Sequence, residues 1–220
     1  AHIEQGPILE REGKLIGIVT GIQGKRTFRV TISGEENHAG TSPRAVRKDA
    51  LVSAVAIISA LQQAMWDLED VVRFTIGQLI VTPNAPSVVP ATVEFSIDLR
   101  HPDANTLTKL GNSIAEIVCS NAKPCLASIR ELLHDPPLEF PLFLRELLER
   151  KTMSRGYKHM QLASGAGHDA RYLHYICPTA MLFVPCREGL SHHPAEWVEQ
   201  EAAIAVANVI PDSLLELCMT

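Results

Sequence analysis

Along Lys25–Leu132 the apolar positions switch between the two-residue period of a strand and the longer period of a helix. Phe28, Val30 and Ile32 alternate with Arg29, Thr31 and Ser33, as in a strand with one face buried. A polar loop, Gly34–Arg44, leads into Ala45–Leu68. There Leu51, Val55, Ile58, Leu61 and Met65 recur at helical spacing and predict a buried stripe. Val72, Phe74 and Ile76 alternate with Arg73 and Thr75 and predict a second strand. Pro83, Pro86 and Pro90 then mark a loop, because proline cannot donate to a sheet ladder. A third strand puts Val93, Phe95, Ile97 and Leu99 on one face and Glu94, Ser96, Asp98 and Arg100 on the other. Asn105–Asn121 reads as a helix buried through Leu107, Leu110, Ile114, Ile117 and Val118, and Cys125–Leu132 supplies a fourth strand. The order βαββαβ is the ferredoxin-like unit, with two helices on one face of an antiparallel sheet.

Beyond Pro136, Pro137 and Pro141 the pattern changes. Leu142–Arg155 predicts a helix that starts at Pro141 and stops before Gly156. Ala180–Val184 predicts a short buried strand, and Trp197–Leu217 a last helix bent or broken at Pro211. The expected organisation is an α/β domain in two pieces, residues 1–22 and 135–220, with the ferredoxin-like module, residues 23–134, inserted between them.

Composition narrows the function classes. Apolar residues at 46% and charged residues at 20% describe an ordinary globular protein. A net charge of −5, with no basic run, argues against nucleic-acid binding as the main task. The cysteines, at 119, 125, 177, 186 and 218, are odd in number and show no C-x-x-C spacing. That points to a reducing compartment, the cytoplasm, and away from a disulfide framework or a cysteine zinc knuckle. No uninterrupted apolar run reaches the roughly 18 residues of a membrane span, so none is expected. The chain begins mid-pattern without an initiator methionine or a signal-peptide signature, as a fragment or cut product would.

Four polar clusters lie in loops between apolar elements: His2–Pro7, Asn37–Pro43, Ser164–Asp169 and Gly189–Pro194. Three of them set a histidine beside glycine, where the backbone can turn and aim an imidazole. Neutral imidazole is the commonest ligand of zinc-like metals. Each loop alone is weak evidence, since a lone loop histidine is usually a surface or hydrogen-bonded residue. Other catalytic signatures are absent: there is no G-x-S-x-G elbow, no G-x-x-x-x-G-K-[ST] phosphate loop and no H-E-x-x-H helix.

Five ordered motifs carry a resemblance over the whole chain. They are His2-Ile3-Glu4-Gln5-Gly6-Pro7, Asn37-His38-Ala39-Gly40-Thr41-Ser42-Pro43, Asp98-Leu99-Arg100-His101, Ser164-Gly165-Ala166-Gly167-His168-Asp169-Ala170 and Gly189-Leu190-Ser191-His192. With these the chain resembles the C-terminal half of the N-carbamoyl-L-amino-acid hydrolase and allantoate amidohydrolase family. The resemblance implies a zinc-peptidase-like α/β catalytic domain interrupted by a ferredoxin-like dimerisation lid, and a homodimer formed through that lid. It implies that His2 and His192 each bind one of two divalent ions (zinc, manganese, cobalt or nickel), and that Gln5, Arg100 and the backbone at Gly167 hold a small carbamoyl or ureido substrate. It implies that His38 acts at the partner subunit's site, on the developing oxyanion. His168 and Asp169 are expected to orient their loop, and His101, His134, His159, His174 and His193 to be surface or structural residues.

Two departures matter. Ser87 stands where the family carries a substrate-binding asparagine, so the substrate's carboxylate end is expected to be held differently. The family is also roughly twice as long, and its N-terminal half supplies the remaining metal ligands and the general base. The chain alone is therefore expected to be inactive, within a full-length enzyme that hydrolyses a linear amide or ureido C–N bond. The first-choice substrate is an N-carbamoyl-L-amino acid; allantoate or a β-ureido acid is the alternative. In a different class, the chain is a non-catalytic dimerisation remnant whose motifs survive as ancestry.

Overall fold

Strand Gly24–Ser33 lies between Thr92–His101 and Leu126–Asp135 and runs antiparallel to both. Arg73–Thr75 and Leu79–Thr82 pair with the other side of Thr92–His101 and complete the sheet. Phe28, Val30, Ile32, Val93, Phe95, Ile97 and Leu99 form its buried face, as their alternation predicts, against helices Ala50–Ala64 and Ala104–Asn121. This βαββαβ module, Gly24–Pro137, is one of two compact units in the chain's computed structural model, which describes residues 1–219. The other unit joins Ala1–Gln23 to the chain from Leu138 onward.

Three expectations for the module need correction. The first helix does not begin at Ala45. Arg44–Val46 is a separate 3₁₀ turn, and the helix starts at Ala50, where the Asp49 carboxylate accepts from the N–H groups of Leu51 and Val52. Of its predicted stripe, Leu61 and Met65 are buried and Leu51 and Ile58 pack against the core, but Val55 stands 61% exposed, and Ala50, Ser53, Ala54 and Ile57 complete the buried face. Ala50–Ala64 contains no charged residue, so hydrophobicity alone does not distinguish its faces. The second strand is present at Arg73–Thr75 but is followed by an unforeseen strand, Leu79–Thr82, and the proline loop holds an unforeseen ladder in which Val88–Val89 pairs with Asn37–His38.

One charge is buried in the module. Arg26 is 5% exposed and donates from Nε and Nη2 to the two carboxylate oxygens of Glu131, at 2.7 and 2.9 Å. Its Nη1 reaches Asn112 Oδ1 at 2.9 Å and the Thr108 carbonyl at 3.2 Å, and the guanidinium lies over the Phe28 ring. Gly111 on the second helix leaves the room it occupies.

In the other unit, Ile16–Ile22 is the central strand. His159–Ser164 pairs with it in parallel, and Leu182–Val184 and Leu138–Glu139 pair with it antiparallel; His2–Ile3 lies parallel to Leu182–Val184. Both faces of the sheet are covered. Ile16, Ile18, Leu182 and Val184 pack with Leu148 and with Ala202, Ala205, Val206 and Val209, from helices Leu142–Ser154 and Gln200–Met219. Leu9, Val19, Ile22, Phe140, Leu162, Met181 and Phe183 form the second core. Gly21 is needed because any side chain there would strike the backbone of Leu138.

The last helix runs as a single element through Pro211 and is not broken there. Among the described residues it is the one helix long and apolar enough, by length and composition, to cross a membrane. Its alanine and valine stripe instead packs on the sheet. Its polar side is tied down by Arg155–Asp212 at 2.5 Å and Lys151–Glu216 at 2.7 Å, as in a core helix of an α/β domain.

Candidate active site

The loop after His2–Ile3 is organised around Glu4, a carboxylate 7% exposed. Its two oxygens accept from the backbone N–H groups of Ile8 and Leu9, each at 2.8 Å, and so cap the short helix Ile8–Arg11. Charge-assisted bonds of this kind are the strong ones. Glu4→Ala is expected to lower stability by about 2–3 kcal/mol, the range for losing bonds to an ionised group. Chemical denaturation of the variant measures this, and a loss under about half a kcal/mol would remove Glu4's organising role.

Next to Glu4, Gln5 lies in the left-handed region (φ 59°) and its amide meets the loop near the other end of the chain. Gln5 Nε2 donates to Ser191 Oγ at 2.9 Å and lies 3.4 Å from His192 Nε2. His192 shares the unusual backbone (φ 56°), and its N–H meets Glu196. Two residues held at positive φ in facing loops are a form of local strain that clusters at functional sites. Behind them, Cys186 Sγ reaches the Gly6 carbonyl, and Glu188 N–H reaches the Glu10 carboxylate.

His2 is exposed and lies edge-on to His168, with ring centroids 4.6 Å apart; Phe183 packs beneath both. His2 Nδ1 is 2.8 Å from the Ile3 carbonyl, which can only accept, so Nδ1 carries a proton and in the neutral ring Nε2 presents a lone pair. Metal-binding histidines are commonly set up this way, with the second ring nitrogen anchored on a carbonyl. The donor chemistry of His2 therefore fits a divalent ion. His168 Nε2 is 2.7 Å from Ser164 Oγ. Burial and the adjacent His2 pull its pKa down to about 4, against the opposing pull of Asp169, so it is neutral at physiological pH. Gly167 is exposed, with open space where a side chain would project. Among the described residues no group of three or more His, Cys, Asp or Glu side chains is placed to hold a metal.

The module contributes two further constellations. His38 Nδ1 accepts from the N–H groups of Gly40 and Thr41, at 3.0 and 3.2 Å. Nδ1 is thus an acceptor, and the neutral ring carries its proton on Nε2. Arg47 braces this loop by donating to the carbonyls of Ser42 and Ala39, and the Ser87 carbonyl accepts from Ala39 N–H. Ser87 therefore touches the His38 loop through its backbone; its side chain is exposed. Arg100 donates from Nε and Nη2 to the Asp98 carboxylate at 2.7 and 3.0 Å, and Lys25 Nζ lies 3.1 Å from the same carboxylate. These partners hold the Asp98 pKa below its usual value despite partial burial.

The structure thus joins Gln5 with His192, and His2 with His168, in one unit; His38 with Ser87, and Arg100 with Asp98, belong to the other. Sequence reading passed over Glu4, Arg47 and Lys25. Asp98 was legible as a partner of Arg100, two residues before it on a strand and therefore on the same face. Arg47 carried no local signal, because its role is defined by carbonyls that only the folded loop presents.

A model of peptidase family M20/M25/M40 matches residues 1–216. The N-carbamoyl-L-amino-acid amidohydrolase of Rhizobium meliloti is 37% identical over 220 residues, covering 98% of this chain and 52% of that protein. The allantoate amidohydrolase of Bacillus subtilis (strain 168) is 36% identical over 219 residues, covering 98% and 53%. Among solved structures, an amidase of the hydantoinase/carbamoylase family from Burkholderia vietnamiensis superposes with a TM-score of 0.91 at 36% identity, covering 97% of this chain and 52% of that one. AtUAH in complex with (S)-hydroxyglycine superposes with a TM-score of 0.92 at 28% identity, covering 99% and 52%. The chain spans about half the length of the relatives it matches.

Proposed function

Because this chain belongs to peptidase family M20/M25/M40, we propose that it works within a longer, metal-dependent amidohydrolase that cleaves a linear ureido or amide C–N bond. The first-choice substrate is an N-carbamoyl-L-amino acid, which with one water yields the amino acid, ammonia and carbon dioxide. The observation that carries this reading is the Gln5–Ser191–His192 contact, which joins two motif loops 186 residues apart in sequence. The nearly equal likeness to an allantoate amidohydrolase supports a second reading within the same chemistry, with allantoate as substrate.

His2 and His192 would each hold a divalent ion (zinc, manganese, cobalt or nickel). Such ions, when bound, polarise the scissile carbonyl and acidify the attacking water. The remaining ligands and the general base would come from polypeptide beyond this chain, which alone would be inactive. Gln5, the Gly167 backbone and Arg100 would orient the substrate, Arg100 through its planar fork on a carboxylate. Ser87, shorter than an amide side chain, would leave the carboxylate end more dependent on Arg100. His38, offering Nε2–H, would donate to the carbonyl oxygen as negative charge builds on it, at the site of a partner subunit in a homodimer formed through the module. The five cysteines are all free, which fits a cytoplasmic enzyme.

The test uses the full-length polypeptide that carries this chain. Metal content is measured, and ammonia release is followed on N-carbamoyl-L-amino acids, a β-ureido acid and allantoate. Turnover of the carbamoyl substrates is expected, and His2→Ala and His192→Ala should each lower the metal bound per chain. Turnover of allantoate alone would select the second reading. Unaltered metal content in both variants, or metal-loaded protein inert on every substrate, would overturn both.

A further inference from the structure

We propose that His168 is a substrate-binding residue: the lone pair on its Nδ1 accepts a hydrogen bond from the terminal NH2 of a ureido group, and Ser164 is the positioning residue that fixes this tautomer. The role rests on the proposed reading of His2 and Gly167 as parts of an amidohydrolase active site.

The tautomer follows from the bonds at one buried oxygen. Ser164 is 1% exposed, so its hydroxyl has no water to turn to. Its Oγ lies 3.1 Å from both the N–H and the carbonyl oxygen of Ala166, and 2.7 Å from His168 Nε2. The N–H can only donate and the carbonyl can only accept. A hydroxyl has one proton and two lone pairs, so all three contacts are hydrogen bonds only when that proton goes to the carbonyl and His168 Nε2 donates to Oγ. Sending the proton to Nε2 instead would set two oxygens face to face at 3.1 Å and leave one bond unmade. Buried polar groups seldom carry that cost. With the proton on Nε2, the neutral ring keeps its lone pair on Nδ1.

That lone pair is available to a ligand. Among the described residues Nδ1 has no hydrogen-bond partner, and it is not sealed from solvent. The ring stands edge-on to His2, with centroids 4.6 Å apart, and packs on Phe183. Gly167, one residue earlier, has open space where a side chain would project. Asp169, one residue later, is a carboxylate that can only accept when ionised, so it offers the lone pair nothing. The oxygens of a ureide are acceptors too and do not complement Nδ1, whereas its N–H groups do. The terminal NH2 is the donor that a ureide has and an N-acyl amino acid lacks. A contact to it therefore selects ureides over acylated amino acids.

In the full-length enzyme, nitrogen-15 NMR is expected to find the His168 proton on Nε2, and Ser164→Ala to give a mixture of tautomers. Turnover is compared on the ureide that the enzyme hydrolyses and on the analogue with a formyl group in place of the carbamoyl group. In His168→Phe, which keeps the ring packing and loses the lone pair, the kcat/KM preference for the ureide should shrink about tenfold, the effect of one hydrogen bond. His168→Asn can return a carbonyl oxygen near the position of Nδ1 and should recover part of the preference. A parent ring protonated on Nδ1, or a His168→Phe variant that impairs both substrates equally, would overturn the role. So would a loss of bound metal in His168→Phe as large as in His2→Ala, since His168 would then be a ligand. A metal-loaded parent inert on every ureide is a different failure: it removes the underlying reading, and the role of His168 with it, whatever tautomer the NMR reports.

Discussion

Replacing His38 by alanine in the full-length enzyme should lower kcat by roughly a hundred- to a thousandfold and change KM little, the cost of removing one preorganised oxyanion donor. The size of the effect follows from how the ring is held. Gly40 and Thr41 N–H both point at Nδ1, which fixes the tautomer, while the Arg47 braces to the Ser42 and Ala39 carbonyls fix the loop that carries those N–H groups. A donor held this way needs little rearrangement when charge develops on the substrate. His38→Gln keeps a donor on a longer arm without the two backbone contacts, and should recover only part of the loss. Nitrogen-15 NMR of the imidazole offers a check independent of activity, with the proton expected on Nε2. A ring protonated on Nδ1 at neutral pH, or an alanine variant altered chiefly in KM, would end the oxyanion assignment.

Gly111→Ala should destabilise the protein by roughly 2–3 kcal/mol, although alanine in a helix interior normally gains up to about 1 kcal/mol over glycine. Gly111 lies within helix Ala104–Asn121, and a methyl group there would overlap the Arg26 guanidinium. Arg26 could yield only by leaving Glu131, Asn112 and the Thr108 carbonyl, and a buried guanidinium without partners is costly. The expected loss sits below the 3–5 kcal/mol of a fully buried pair because the Glu131 side chain keeps 36% of its surface. Denaturant unfolding of Gly111→Ala beside Arg26→Met/Gly111→Ala separates the two contributions. Without the guanidinium, the alanine should become neutral or stabilising; a single variant as stable as the parent would show that the Arg26 network has slack.

Much of the module was legible because its strands have one buried face. The alternation at 28–32 and 93–99 admits a single assignment of faces, since a one-residue slip would turn every apolar side chain outward. In the first helix Val55 was misplaced for the converse reason: a helix without charges has no hydrophilic side to mark its exposed face. The short strands His2–Ile3 and Leu138–Glu139 carry too few residues for any period, and pairing with distant segments alone defines them.

At the candidate site the motifs supplied His2, Gln5, His38, Arg100 and His192 as residue types suited to metal, carboxylate and oxyanion chemistry. They did not reveal proton positions. The Nδ1–H of His2 follows from a carbonyl one residue away, and the Nε2–H of His38 from two N–H groups of a turn; both depend on dihedral angles rather than composition. The same holds for the pairing of the Arg100 guanidinium with the Asp98 carboxylate, a matter of side-chain rotamers on one strand.

By itself, then, the amino-acid order determined the βαββαβ module, the segments flanking it and the chemical character of each loop, because periodicity and side-chain type are properties of the chain. Which loops meet and which ring nitrogen holds a proton were decided only in three dimensions. Those outcomes depend on packing and hydrogen bonds between residues that sequence distance leaves unrelated.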